Sequence, residues 1–224
     1  MDDKVATVIG ATGMIGRLLY QQLLNDPFYD RVRILVRRPV EDAHEKLEVK
    51  LVNFEDTEWL KLSLEESFVL FSCIGTTNQQ VRGNKELYWK IDHDIPVRAC
   101  KLAKEVGCQK FVMVSSVGAN PRSSNFYLKM KGETENDIIA TAMPQIHIMQ
   151  PSFLLGKRSE RRPLEAFGQG LFEPLSKLLP GSMQKYKAIE GMVVAKAMIA
   201  ASKKSKSGHF RYTHNELVKL AAEV

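Results

Sequence analysis

Tyr127 and Lys131 stand four residues apart in Tyr127-Leu128-Lys129-Met130-Lys131, which puts both on one face of a helix. A free tyrosine holds its proton to a pKa of about 10. A neighbouring ammonium favours the phenolate and brings the hydroxyl nearer the range useful for proton transfer. From the same position a lysine can hydrogen-bond a ribose. Shortly upstream, an apolar run ends Val114-Ser115-Ser116-Val117-Gly118, where a serine hydroxyl can hold a carbonyl or alcohol oxygen. Strand alternation gives Ser115 and Ser116 opposite faces. Ser116, as the last residue, is preferred for the cleft, and the choice between the two stays open. Such a set serves one reaction: hydride moves between C4 of a nicotinamide and carbon while Tyr127 moves the proton. Tyr-x-x-x-Lys is common on ordinary helix surfaces, so its meaning depends on what surrounds it.

The surroundings begin at the other end of the chain. An apolar run over residues 5–9 breaks into Gly10-Ala11-Thr12-Gly13-Met14-Ile15-Gly16. A buried strand, a tight turn and a helix start are what a dinucleotide pocket requires, with free N–H groups at the helix start facing a pyrophosphate. Gly10 allows the turn, Gly13 lets the backbone approach the phosphates, and Gly16 lets the helix pack on the strand. Thr12, Met14 and Ile15 complete the expected cradle. Leu18, Leu19, Leu23 and Leu24 then mark an amphipathic helix.

The second strand ends Val36-Arg37-Arg38-Pro39, at the place where an NAD-binding unit usually carries Asp or Glu for the adenosine ribose. A carboxylate would repel a 2′-phosphate, whereas an arginine fork grips one. Arg37 and Arg38 therefore predict NADP(H) over NAD(H). After the fourth strand, Ser72-Cys73-Ile74-Gly75-Thr76-Thr77 forms a small-residue turn, and Ile74, Gly75 and Thr76 are expected to let the cofactor pass near the backbone.

The elements that must position these groups alternate along the chain. Strands are expected at residues 5–9, 32–36, 49–52, 68–73, 111–114, 146–149 and 209–212. One long helix is expected over 83–106, with Leu87, Ile91, Ile95, Ala99, Leu102 and Ala103 on one face. Further helices are expected at 127–140, 193–201 and 215–222. Strand–helix alternation argues for α/β architecture, a doubly wound parallel sheet (Rossmann fold) in a single domain over residues 1–224. Residues 151–180 lack strong periodicity, and 151–190 reads as a substrate-side lid or insertion.

Composition narrows the function classes. The chain has 224 residues, a net charge of +6 and 44% hydrophobic residues. No stretch approaches the length of a membrane span, and no secretory leader precedes the first strand. The basic residues are spread out, with local runs at 157–162 and 203–206 and no aromatic-interleaved stripe. Nucleic acid is therefore not expected as a partner, and a phosphate-rich cofactor explains part of the excess charge. Three cysteines form no Cys-x-x-Cys pair, and Cys73 and Cys100 read as core residues of a reducing, cytoplasmic protein. The five histidines lack metal-ligand spacing, so no metal site is expected.

Gly10 to Gly16, Arg37-Arg38, Ser115-Ser116 and Tyr127/Lys131 together resemble the short-chain dehydrogenase/reductase superfamily in its atypical or extended branch. The segment Ser123-Ser124-Asn125-Phe126-Tyr127-Leu128-Lys129-Met130-Lys131-Gly132-Glu133 is similar to small NADPH-binding oxidoreductases related to the human Tat-interacting protein. Ile91-Asp92-His93-Asp94, Leu102-Ala103-Lys104 and residues 151–162 extend the likeness over nearly the whole chain. The resemblance implies an NADPH site built from the glycine turn, the arginine pair, the turn after strand four, Tyr127 and Lys131. It also implies a loop over the nicotinamide at residues 151–154, including Leu154, and a phosphate contact from Arg162. Asp92 departs from the asparagine that supports a proton-relay water in many dehydrogenases, which puts that relay in doubt. The chain also lacks the large C-terminal region with which sugar-nucleotide epimerases bind their substrate, which disfavours epimerase chemistry.

These readings imply a reductase or dehydrogenase for a small carbonyl or alcohol, and mixed apolar and basic residues over 153–179 hint at an anionic or aromatic one. The alternative is an NADPH-binding regulator of a protein partner with little or no turnover. The sequence leaves the oligomeric state open.

Overall fold

Five successive apolar or β-branched residues suit a strand covered on both faces, and Val5–Ile9 (β1) is buried throughout. The computed structural model describes residues 3–155 and 185–224. The same logic builds Arg31–Val36 (β2), Leu47–Leu51 (β3), Ser67–Ser72 (β4), Lys110–Val114 (β5) and Gln145–Met149 (β6). The short pair Leu154–Leu155 (β7) and Ile189–Glu190 (β8) forms a separate ribbon, and Gly208–Tyr212 (β9) completes the main sheet. That sheet has seven parallel strands in the order β3-β2-β1-β4-β5-β6-β9.

Helices cover both faces. Met14–Leu24 (α1), Gly191–Ser202 (α6) and His214–Ala221 (α7) bury Leu19, Leu23, Met198 and Leu217 on one side. On the other, Thr57–Leu64 (α2), Ile95–Glu105 (α4) and Phe126–Ala140 (α5) bury Leu60, Leu64, Ala99, Leu102 and Ile138. After β3 the chain crosses back to lay β4 on the far side of β1, so the strand order reverses between β1 and β4. A crevice at the carboxyl ends of those two strands is where such sheets take ligands.

The single helix expected over residues 83–106 is divided. Lys85–Trp89 (α3) is followed by a π-helical turn at Lys90–Asp94 and then by α4. The wide turn alters the winding, and Leu87 of the expected core stripe is exposed while Tyr88, Asp92 and His93 are buried. The helix α2 was not expected from the sequence. It starts where the Asp56 carboxylate accepts from the Trp59 amide at 3.0 Å. Residues 156–184, which hold most of the expected insertion, lie outside the described residues.

One buried histidine gives the fold a testable acid limb. His147 on β6 stacks on Phe210 and Tyr212 of β9, and its Nδ1 lies 3.0 Å from the Tyr212 hydroxyl. Burial, with smaller contributions from the Lys110 and Lys204 ammoniums, pushes the imidazole from 6.5 down to about 4. Between those values the unfolded chain binds the proton and the folded chain does not. This contribution is therefore complete above about pH 6.5 and falls away as the pH drops towards 4. In urea unfolding across that window, His147→Phe is expected to lose about 3 kcal/mol less than the wild type. Parallel acid limbs in the two proteins would refute the assignment.

Candidate functional site

The turn from β1 into α1 is packed too tightly for any side chain at two positions. Gly10 has φ +78°, and a Cβ there would stand 2.5 Å from the Cys73 carbonyl carbon and 2.6 Å from the Ile74 nitrogen. A Cβ on Gly16 would lie 2.1 Å from the Gly10 carbonyl oxygen. The glycine turn thus leans on the turn after β4, and α1 leans on the glycine turn. Asp56, Asn84 and Asn125 cap α2, α3 and α5 with side-chain oxygens. At α1 the N-cap is Gly13, no side chain caps it, and its first turn carries no acidic residue. Thr12, Met14 and Ile15 lie along this helix start, whose amides and dipole suit an anion.

Arg37 and Arg38 follow β2 directly and are exposed. Among the described residues no ion pair holds either of them. Within the same strand Arg33 is consumed by structure. Its Nε donates to Glu48 at 2.6 Å, and its Nη1 donates to the carbonyls of Ser63 and Glu65.

Tyr127 and Lys131 share the buried face of α5, whose N-terminus is fixed by Asn125 accepting from the Leu128 amide at 3.1 Å. Tyr127 packs with Val81, Tyr88 and Met130, and the Lys131 Nζ lies 6.0 Å from the centre of its ring. The Lys131 ammonium also pairs with Asp92 Oδ2 at 3.0 Å, with both side chains almost wholly enclosed. Asp92 Oδ1 accepts from the Thr76 amide at 2.7 Å. Ile74, Gly75 and Thr76 therefore meet the Tyr–Lys helix through one carboxylate.

Both serines are buried at the end of β5 and differ in what they hold. The Ser115 hydroxyl donates to Glu135 Oε1 at 2.5 Å, while among the described residues the Ser116 hydroxyl has only a 3.3 Å contact with the Val117 carbonyl. Glu135 Oε1 also accepts from Gln150 at 2.8 Å, and its Oε2 from Arg211 Nε at 2.7 Å. This buried glutamate collects the ends of β5, β6 and β9, one helical turn beyond Lys131 on α5. Glu135 is not among the residues that the sequence motifs single out. A carboxylate four residues beyond Lys131 on the same helix face was the available signal, but its partners lie far away in the chain. Leu154 sits in β7, half-buried and paired in register with Ile189. Arg162 lies outside the described residues.

Residues 10–168 match the model of a family described as NAD(P)H-binding. The chain belongs to this family, as an atypical short-chain dehydrogenase/reductase. Its relatives include Protein FMP52, mitochondrial, of Debaryomyces hansenii, 36% identical over 87% of this chain and 85% of that protein. The namesake in Saccharomyces cerevisiae is 36% identical over 73% of this chain and 71% of its own length. Protein HTATIP2 of Rattus norvegicus is 28% identical, covering 97% of this chain and 89% of its own. Among solved structures, MoeE5 in complex with UDP-glucuronic acid and NAD superposes with a TM-score of 0.69 at 17% identity, covering 97% of this chain and 81% of that one. A UDP-N-acetylglucosamine 4-epimerase from Methanobrevibacter ruminantium gives 0.68 at 16% identity, over 95% and 77% of the two chains. At these identities the likeness shows the shared fold alone.

The family and the doubly wound fold are as the sequence implied. The cytoplasmic assignment is corrected, because the FMP52 relatives are named mitochondrial. Free cysteines fit any reducing compartment and do not separate cytoplasm from mitochondrion. No helix among the described residues is long and apolar enough to cross a membrane.

Proposed function

We propose that the protein is an NADP(H)-dependent oxidoreductase acting on a small carbonyl or alcohol, with Ser116, Tyr127 and Lys131 as its reacting set. One observation carries the reading: the Tyr127–Lys131 face of α5 and the turn after β4 meet in one place, joined through Asp92. The family supplies the nicotinamide nucleotide, and the glycine turn fits it. That turn is a backbone cradle which a Cβ at Gly10 or Gly16 would fill, and it lies before an α1 N-terminus without a side-chain cap. When bound, the nicotinamide supplies or accepts the hydride. The α1 amides hold the diphosphate, and Arg37 and Arg38 hold the 2′-phosphate. Ser116 orients the substrate oxygen, Tyr127 gives or takes its proton, and Lys131 holds the ribose beside the phenol. Burial of Tyr127 and Lys131 keeps water from competing for that proton.

The arginine pair is tested by calorimetry with NADPH and NADH. Replacing both arginines by alanine is expected to weaken NADPH binding roughly tenfold to hundredfold, since a charge-assisted bond is worth about 1.5–3 kcal/mol. NADH affinity should stay within about twofold, in keeping with the absence of its 2′-phosphate. A wild-type preference for NADH would remove this role.

A second reading, a nucleotide-binding regulator of a protein partner, draws on Asp92. Its carboxylate neutralises the ammonium that would otherwise act on Tyr127 alone. NADPH binding without turnover on any carbonyl of a broad panel would favour it.

A further inference from the structure

We propose that Asp92 is a positioning residue for the nicotinamide half of the dinucleotide, holding the Lys131 ammonium and the Thr76 amide as one preassembled unit. The inference rests on the reading that NADP(H) occupies the cleft. The Asp92 side chain is 0% and that of Lys131 4% accessible, with 3.0 Å between their charged atoms. Enclosing an ion pair this deeply gains little stability over an apolar pair of the same volume, so stability alone does not explain it. Its second oxygen is also committed, to the Thr76 amide at 2.7 Å. The carboxylate reaches both partners from the π-helical turn at Lys90–Asp94, an irregularity frequent at functional sites.

The sheet order says which half of the ligand this unit meets. In β3-β2-β1-β4-β5-β6-β9 the glycine turn follows β1, and Arg37 and Arg38 follow β2 on one side of it. Thr76 follows β4 and Lys131 follows β5, on the opposite side. A dinucleotide laid across these strand ends with its diphosphate on α1 places its 2′-phosphate half over β2 and its nicotinamide half over β4 and β5. Asp92 thus governs only one end of the ligand, and acts on it through two other residues.

Calorimetry with NADPH and with 2′,5′-ADP, which carries the adenine half alone, separates the two ends. Asp92→Asn keeps the size and an acceptor for Thr76 but removes the charge. It is expected to weaken NADPH about tenfold or more while leaving 2′,5′-ADP within about twofold. Unchanged NADPH binding, or an equal loss for both ligands, overturns the proposal, the second marking general damage to the fold. If the wild type binds neither ligand, the NADP(H) reading itself fails and this inference falls with it. Should Asp92→Asn not fold, the wild-type Thr76 amide resonance decides. It is expected to shift on adding NADPH and to hold still on adding 2′,5′-ADP. No shift with NADPH, or equal shifts with both, overturns the proposal.

Discussion

Tyr127→Phe is expected to cut turnover by about two to four orders of magnitude, the usual contribution of a positioned proton donor or acceptor. The ring should stay where it is. It packs with Val81, Tyr88 and Met130 at the start of α5, and phenylalanine keeps those contacts. NADPH affinity should accordingly change by no more than about twofold, so the loss appears in kcat rather than in cofactor binding. The measurement is NADPH oxidation with an aldehyde or ketone that the wild type reduces, beside calorimetry on both proteins. A variant that turns over at the wild-type rate would show that the proton travels by another route.

Gly16→Ala is the second large effect. The added methyl would stand 2.1 Å from the Gly10 carbonyl oxygen, and that atom is backbone, so no rotamer relieves the clash. Either α1 or the glycine turn must move by about 1 Å, a displacement that can cost roughly a hundredfold where geometry matters. NADPH affinity should fall by about that factor, with a loss of about 1–3 kcal/mol in thermal unfolding from overpacking. Circular dichroism checks that the sheet survives. Wild-type affinity in a folded Gly16→Ala protein would mean that the turn is not the diphosphate cradle.

The main strands were legible because buried parallel strands are nearly continuous apolar runs. Residues 5–9, 32–36 and 146–149 need nothing beyond that rule. The helix over 83–106 shows where the rule stops. Counting by 3.6 residues per turn puts Leu87, Ile91 and Ile95 inward; Leu87 is exposed, Ile91 and Ile95 are half-buried, and around the π turn at Lys90–Asp94 Tyr88, Asp92 and His93 are buried. In α2 the apolar Trp59 and Leu62 are half exposed beside buried Leu60 and Leu64, so its pattern is too broad to reveal one buried stripe. The site was legible where it is local: a glycine turn, an arginine pair, a Tyr–Lys spacing. Asp92 with Lys131 and Glu135 with Ser115, Gln150 and Arg211 join separated stretches of chain. Their pairing is a product of sheet order, which no short window contains. The hydroxyl of Ser115 is committed to Glu135.

The three cysteines are free thiols, Cys100 and Cys108 buried and Cys73 partly so. Desolvation pushes Cys100 up to about 12 and Cys108 to about 11, and raises Cys73 as well. Peroxides and disulfides react with the thiolate, which these sulfurs scarcely form at neutral or mildly alkaline pH. The folded chain can therefore meet oxidising or reducing surroundings with its sulfur chemistry unchanged.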